Sequence, residues 1–180
     1  MVIKYEIYKN SRDASWKFLI EHKVKSLPVD LKTIVHEMGI AVKEDVSGIL
    51  DCTEKGKVIT GKEKKFIIIK NSDIYQNRYT IMHEIGHIVF GHDDKPYEEK
   101  SDEYKVERFA IDVLAPACVI WGLDIHTAED IQKLCQISLT SAKIRAERIE
   151  MLYKKDMFLS NQLERKVFIQ FKDFIKNYKY

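Results

Sequence analysis

The chain has 180 residues, 45% of them apolar and 32% charged, with only 7 Gly and 3 Pro. That length suits one domain with a substantial core, or such a domain with a small appendage, and the composition excludes collagen-like and low-complexity character. Lys and Arg total 30 against 28 Asp and Glu, a net charge of +2, too small an excess for a protein that lives by neutralising phosphates.

Lys4, Glu6 and Lys9 interrupt the first ten residues, so no signal-peptide apolar stretch is expected there. No run approaches the ~20 apolar residues of a bilayer span. Cys52, Cys118 and Cys135 are odd in number and widely spaced. They suit reduced thiols in a cytoplasmic protein and lack the paired spacing of a thiolate zinc site.

In chain order, Trp16, Leu19, Ile20 and Val24 carry the spacing of one helix face. Pro28 suits the first turn of a second helix, with Leu31, Ile34, Val35 and Met38, closed by Gly39 and followed by a short strand at Ile40-Ala41-Val42. The stretch 46–61 predicts hairpin strands around Gly48 and Val58-Ile59, and Phe66-Ile67-Ile68-Ile69 predicts a strand buried on both faces. A long helix is expected from about Tyr75 to Phe90, stopped by Gly91-His92-Asp93-Asp94-Lys95-Pro96. Another should run from roughly Glu98 to Ala115, where Pro116 ends it. Thr127-Ala128-Glu129-Asp130 opens a short helix, and Ser138 caps one that continues to about Lys154. Leu163, Val167, Phe168, Phe171, Phe174, Ile175 and Tyr178 form the aromatic stripe of a last amphipathic helix. The expected organisation is an α+β core over 1–122 and a helical region over 123–180.

His83-Glu84-Ile85-Gly86-His87 falls inside the predicted long helix. Residues four apart project from one helix face, about 6 Å apart along the axis at ~1.5 Å rise per residue. Two imidazoles so placed can converge on one zinc ion, and the Glu84 carboxylate then hangs beside the metal, where it can take a proton from activated water. Ile81-Met82 and Ile88-Val89 make this a buried helix, in which two His and a Glu need a partner such as a metal. A catalytic zinc wants a third protein ligand and one open position. His92, Asp93, Asp94, Glu98, Glu99, Asp102, Glu103 and Glu107 are the downstream candidates. His92 lies beyond a Gly and is expected to point elsewhere. The next helix is the better source, with Glu103 and Glu107 on one of its faces above Ala110 and Leu114.

The combination of motifs resembles the ImmA/IrrE-type metallopeptidases. The resemblance rests on Arg78-Tyr79-Thr80-x-x-His83-Glu84-Ile85-Gly86-His87, then Glu103-x-x-Val106-x-x-Phe109-Ala110-x-x-x-Leu114-Ala115-Pro116. It continues into Ile137-Ser138-x-x-Ser141-Ala142-x-x-Arg145 and includes the Leu27-Pro28-Val29-Asp30-Leu31 opening, spanning about residues 27 to 150. It implies a zincin-like core of helices and a small sheet, with a helix-turn-helix-like C-terminal part. It further implies a cytoplasmic zinc-dependent endopeptidase that cleaves a partner helix-turn-helix repressor, often one encoded beside it on a mobile element or stress regulon. On the family pattern the metal ligands are His83, His87 and Glu103, and Glu84 is the general base. The position four after the third ligand is usually Asn and here is Glu107. One turn beyond Glu103, it is expected to reach the free ring nitrogen of a ligand histidine. Manganese accepts a His/carboxylate set as well as zinc does.

The predicted pair of helices over 127–154 offers Lys143, Arg145 and Arg148 but also Glu147 and Glu150, a balance that disfavours direct DNA binding. That module is expected to pack on the core or touch the repressor. The reading from another functional class is a non-catalytic regulator, binding DNA or protein, in which the metal only stabilises the fold. A retained general base argues against it.

Overall fold

A computed structural model describes residues 2–92 and 100–178. Helix α1 (Val2–Glu21) begins well before the apolar spacing that starts at Trp16. Its extra turns are held by small hydroxyl residues that an apolar pattern misses. Ser11 and Ser15 are fully buried, and Ser11 Oγ donates to the Lys105 carbonyl at 2.7 Å. Helix α2 (Leu31–Glu37) starts three residues after Pro28, because Asp30 caps it by accepting from the backbone amides of Lys32 and Thr33. Gly39 closes it at φ +66°, as its position in the sequence suggests.

Three strands form one sheet in the order β1-β3-β2: β1 (Ala41–Glu44), β2 (Gly56–Thr60) and β3 (Lys65–Ile69). The central β3 pairs parallel with β1, Val42 opposite Ile67, and antiparallel with β2, Val58 opposite Ile67. The expected strands around Gly48 do not form. There the Asp45 carboxylate accepts from the amides of Ile49 (2.9 Å) and Leu50 (3.0 Å), satisfying locally donors that a ladder would otherwise take. The hairpin turns instead at Gly61, whose amide donates to the Lys64 carbonyl.

Helix α3 (Ile74–Val89) follows, then α4 (Lys100–Leu114), α5 (Ala117–Gly122), α6 (Ala128–Cys135), α7 (Leu139–Lys154), α8 (Gln162–Gln170) and α9 (Lys172–Asn177). Pro116 not only ends α4 but is the N-cap residue of α5, a short helix that the sequence reading did not anticipate. The expected single C-terminal helix is broken at Phe171, whose backbone (φ −90°, ψ 2°) separates α8 from α9. The start expected for α4 near Glu98, and the ligand candidates Asp93, Asp94, Glu98 and Glu99, lie outside the described residues.

The fold is α+β. Helix α4 lies between α1 and α3, and the sheet packs on α3. One continuous apolar cluster runs from Trp16 through Met82, Ile85 and Phe109 to Val167 and Phe171, so the C-terminal helices share the core of the N-terminal ones. Among the described residues no helix is long and apolar enough to cross a membrane.

Candidate metal centre

Local sequence first determines how α3 presents its histidines. Asp73 caps the helix by accepting from the Gln76 amide at 2.9 Å. Sixteen helical residues then carry Thr80, Met82, Ile85 and Gly86 into the core, with Glu84 and His87 buried on the same helix. Gly86 decides how near α4 can come. A Cβ built there would lie 2.9 Å from Val106 Cγ1 and 3.1 Å from Phe109 Cδ1, so only a glycine admits α4 this closely. That approach brings Glu103, one turn before Val106, against the two histidines.

The three side chains converge. His83 Nε2 and His87 Nε2 are 3.1 Å apart; Glu103 Oε2 lies 3.3 Å from the first and Glu103 Oε1 3.5 Å from the second. Ligand atoms at 2.0–2.1 Å from a tetrahedral zinc are about 3.3 Å from one another. The spacing and the donor set therefore fit a divalent metal held by His83, His87 and Glu103, whose ligand atoms all lie within 4.8 Å. Burial depresses the pKa of both histidines, that of His87 to about 4, with His83 adding to the effect at His87. The fold thus favours neutral imidazole, the form that binds metal.

Glu84 lies on the same helix but opposite the edge of the sheet. It is 7% exposed and accepts a hydrogen bond from the Val58 backbone amide. Desolvation, reinforced by the Glu103 charge, raises its carboxyl to about 7. Strand β2 reaches this carboxylate because residue 56 is glycine. A Cβ there would sit 2.5 Å from Thr80 Cγ2 and 3.1 Å from Glu84 Oε1. These groups face a cleft of about 1030 Å³, which also receives Tyr79, Glu107 and Ser138 at the head of α7. The Tyr79 hydroxyl is held protonated, its pKa raised by burial and by Glu107 and Glu103.

Glu107 is exposed on the cleft wall and does not reach a free ring nitrogen. His83 Nδ1 is buried with no hydrogen-bond partner, whereas His87 Nδ1 meets His92 Nδ1 at 3.3 Å. Partial desolvation and the Glu103 charge raise the Glu107 pKa. The residue expected to point elsewhere, His92, is the one that backs a candidate ligand, and its Nε2 lies 3.7 Å from Asp102 Oδ1. Sequence did carry a signal for this. Gly91 adopts φ +70°, its amide donates to the Ile88 carbonyl and the His92 amide to the His87 carbonyl. This is the Schellman pair of bonds, which folds the residue after the cap glycine back over the last turn. Sequence reasoning also missed Gly56, Val58 and Ser138, which become neighbours of the cleft only through tertiary packing. His126 is exposed and pairs with Asp124 at 2.9 Å, away from the site.

The predicted two-helix module over 127–154 is present as α6 and α7, joined through Gln136 at φ 52°. Two of the basic side chains credited to its second helix are engaged internally. Arg145 is buried against Asp112, and Arg148 donates to the Tyr8 hydroxyl.

Residues 44–147, more than half of the chain, match the family model Peptidase_M78, described as the IrrE N-terminal-like domain. Comparison with curated proteins gave no match.

Proposed function

The chain belongs to the Peptidase_M78 family, which implies a metallopeptidase with a zincin-like fold, and on that premise we propose that it is a zinc-dependent endopeptidase that cuts a helix-turn-helix transcriptional repressor in the cytoplasm. One observation carries the catalytic part of the reading. A buried carboxylate, Glu84, stands beside a convergent His83, His87 and Glu103 set within an open cleft. A structural metal site closed by four ligands has no use for such a carboxylate.

His83, His87 and Glu103 would hold the ion. When bound, zinc supplies Lewis acidity and makes water acidic enough to lose a proton near neutral pH. Glu84 accepts that proton on its carboxylate as the water attacks the scissile carbonyl, then delivers it to the nitrogen of the departing amine. Burial raises this carboxyl above the ordinary carboxylate range, the direction that suits a group which both takes and returns the proton. The Val58 amide orients the carboxylate from the sheet edge, and the Tyr79 hydroxyl, kept protonated, faces the same space as a donor.

The test joins metal analysis to cleavage. A candidate helix-turn-helix repressor is incubated with the zinc-loaded chain and, in parallel, with its Glu84→Gln variant. Two repressor fragments from the wild type and none from the variant are expected. An intact repressor at equimolar, metal-loaded protein would instead favour a metal-stabilised regulator that binds and does not cut.

A further inference from the structure

A second cavity, of about 50 Å³, lies among α1, α4, α7 and α8, apart from the cleft. A single water needs about 10–15 Å³ of such volume, so the space admits a group of a few heavy atoms. Four guanidinium groups line it, Arg12, Arg108, Arg145 and Arg148, against the carboxylates of Asp112 and Glu164. Asp112 is divided between two of them, accepting from Arg108 Nε at 3.2 Å and Arg145 Nη2 at 2.5 Å. Arg12 is engaged by its chain neighbour Asp13 at 2.7 Å. Arg148 donates to the Tyr8 hydroxyl and forms no ion pair with a carboxylate among the described residues.

The Tyr8 ring gathers three of these cations, with Arg12, Arg108 and Arg148 at 5.8, 4.7 and 5.1 Å from its centroid. Arg145 is only 3% exposed, yet its Nε is buried with no hydrogen-bond partner. A buried donor left unmade is costly, and water could satisfy it without offsetting the positive charge. Burial raises the pKa of Glu164, while its backbone hydrogen bonds and the Arg12 charge oppose that shift.

We propose that this cavity binds a phosphate-type oxyanion, either free phosphate or the phosphate of a small phosphorylated ligand, held by Arg145 and Arg148 with Arg12 and Arg108 beside them. The volume suits one tetrahedral oxyanion, and guanidinium forks match its oxygens two at a time. The site shares both of its central helices with the cleft. Helix α4 carries Glu103 as well as Arg108, and α7 runs from Ser138 in the cleft to Arg148 in the cavity. An occupant would therefore tie together the helices that frame the metal centre.

Calorimetric titration of inorganic phosphate into the zinc-loaded full chain, at constant ionic strength, tests the proposal. Saturable binding is expected, weakened about tenfold or more by Arg148→Gln, since a hydrogen bond to a charged group is at stake. Arg148 is half-buried, and melting curves check that the variant folds; Arg12→Gln serves as the second variant. Ribose 5-phosphate titrated in parallel separates the two sources, binding tighter than phosphate if a phosphorylated ligand is the occupant and weaker if free phosphate is. Phosphate binding unchanged in both variants would assign the anion to the metal centre and overturn the proposal. So would the absence of saturable binding at millimolar phosphate.

Discussion

Arg145 on α7 donates to Asp112 on α4 across 2.5 Å, with the two side chains 3% and 8% exposed. The contact fastens the two-helix module of α6 and α7 to the helix that carries Glu103. Removing one member of such a pair strands a charge in the interior, which typically costs about 3–5 kcal/mol. Asp112→Ala should lower stability by that order in urea unfolding. A loss below about 1 kcal/mol, the worth of an exposed pair, would mean that water already reaches Arg145.

Glu84→Gln should keep metal content and lose about 10²–10⁴ in cleavage rate, because the amide preserves shape but cannot accept the proton. The same variant has a signature in metal-free protein. The folded-state pKa of Glu84 is raised from 4.5 to about 7, so between those values the folded state binds more protons than the unfolded one. Stability from this group is thus complete below about pH 4.5 and is lost as pH rises through about 7. Glu84→Gln should flatten that decline. Wild-type slope retained by the variant would assign the effect to another group.

Metal affinity separates the acidic and imidazole neighbours of the centre. Glu103→Ala should nearly abolish binding, since Glu103 alone among the carboxylates of α4 lies within 3.5 Å of both histidines. His92→Ala should weaken it about 10–100-fold, the usual range for a group that orients a ligand imidazole. Glu107→Gln should bind nearly as the wild type does, because no ring nitrogen meets Glu107. Dissociation constants for the three variants check the assignment, and an empty site in Glu107→Gln would move the ligand by one turn.

Truncation after Ser160 should yield an insoluble or unstable chain. Val167 and Phe171 are fully buried, Phe168 packs on Trp121 with ring centroids 5.6 Å apart, and Gln170 Nε2 donates to the carbonyls of Leu19 and Val24. A large apolar face on α1 and α5 would be left in water. A soluble, active, monomeric product would show instead that α8 and α9 are a detachable cover.

Much of the candidate site is legible in the sequence because it is made within one helix. His83 and His87 share a face through the helical repeat alone, and Gly91 returns His92 onto His87 through bonds that span five residues. The α+β pattern is legible for the same reason, with caps at Asp73, Thr127 and Ser138 and a β-branched run at Ile67 to Ile69 marking elements locally. Where a short-range alternative satisfies the backbone, periodicity misleads, as the Asp45 carboxylate does around Gly48.

Contacts between elements depend on docking, which no local pattern encodes. Glu103 and Glu107 are equivalent in helix periodicity, and what distinguishes them is the depth to which α4 settles over Gly86. Arg145 reads like its basic neighbours on α7 until Asp112, 33 residues earlier, is packed against it. Sequence by itself determined which residues could bind a metal and move a proton, since helix geometry sets the spacing of side chains a turn apart. Tertiary structure decided which carboxylate completes the set and which charges are buried, since desolvation and close packing act only between elements brought together from distant parts of the chain.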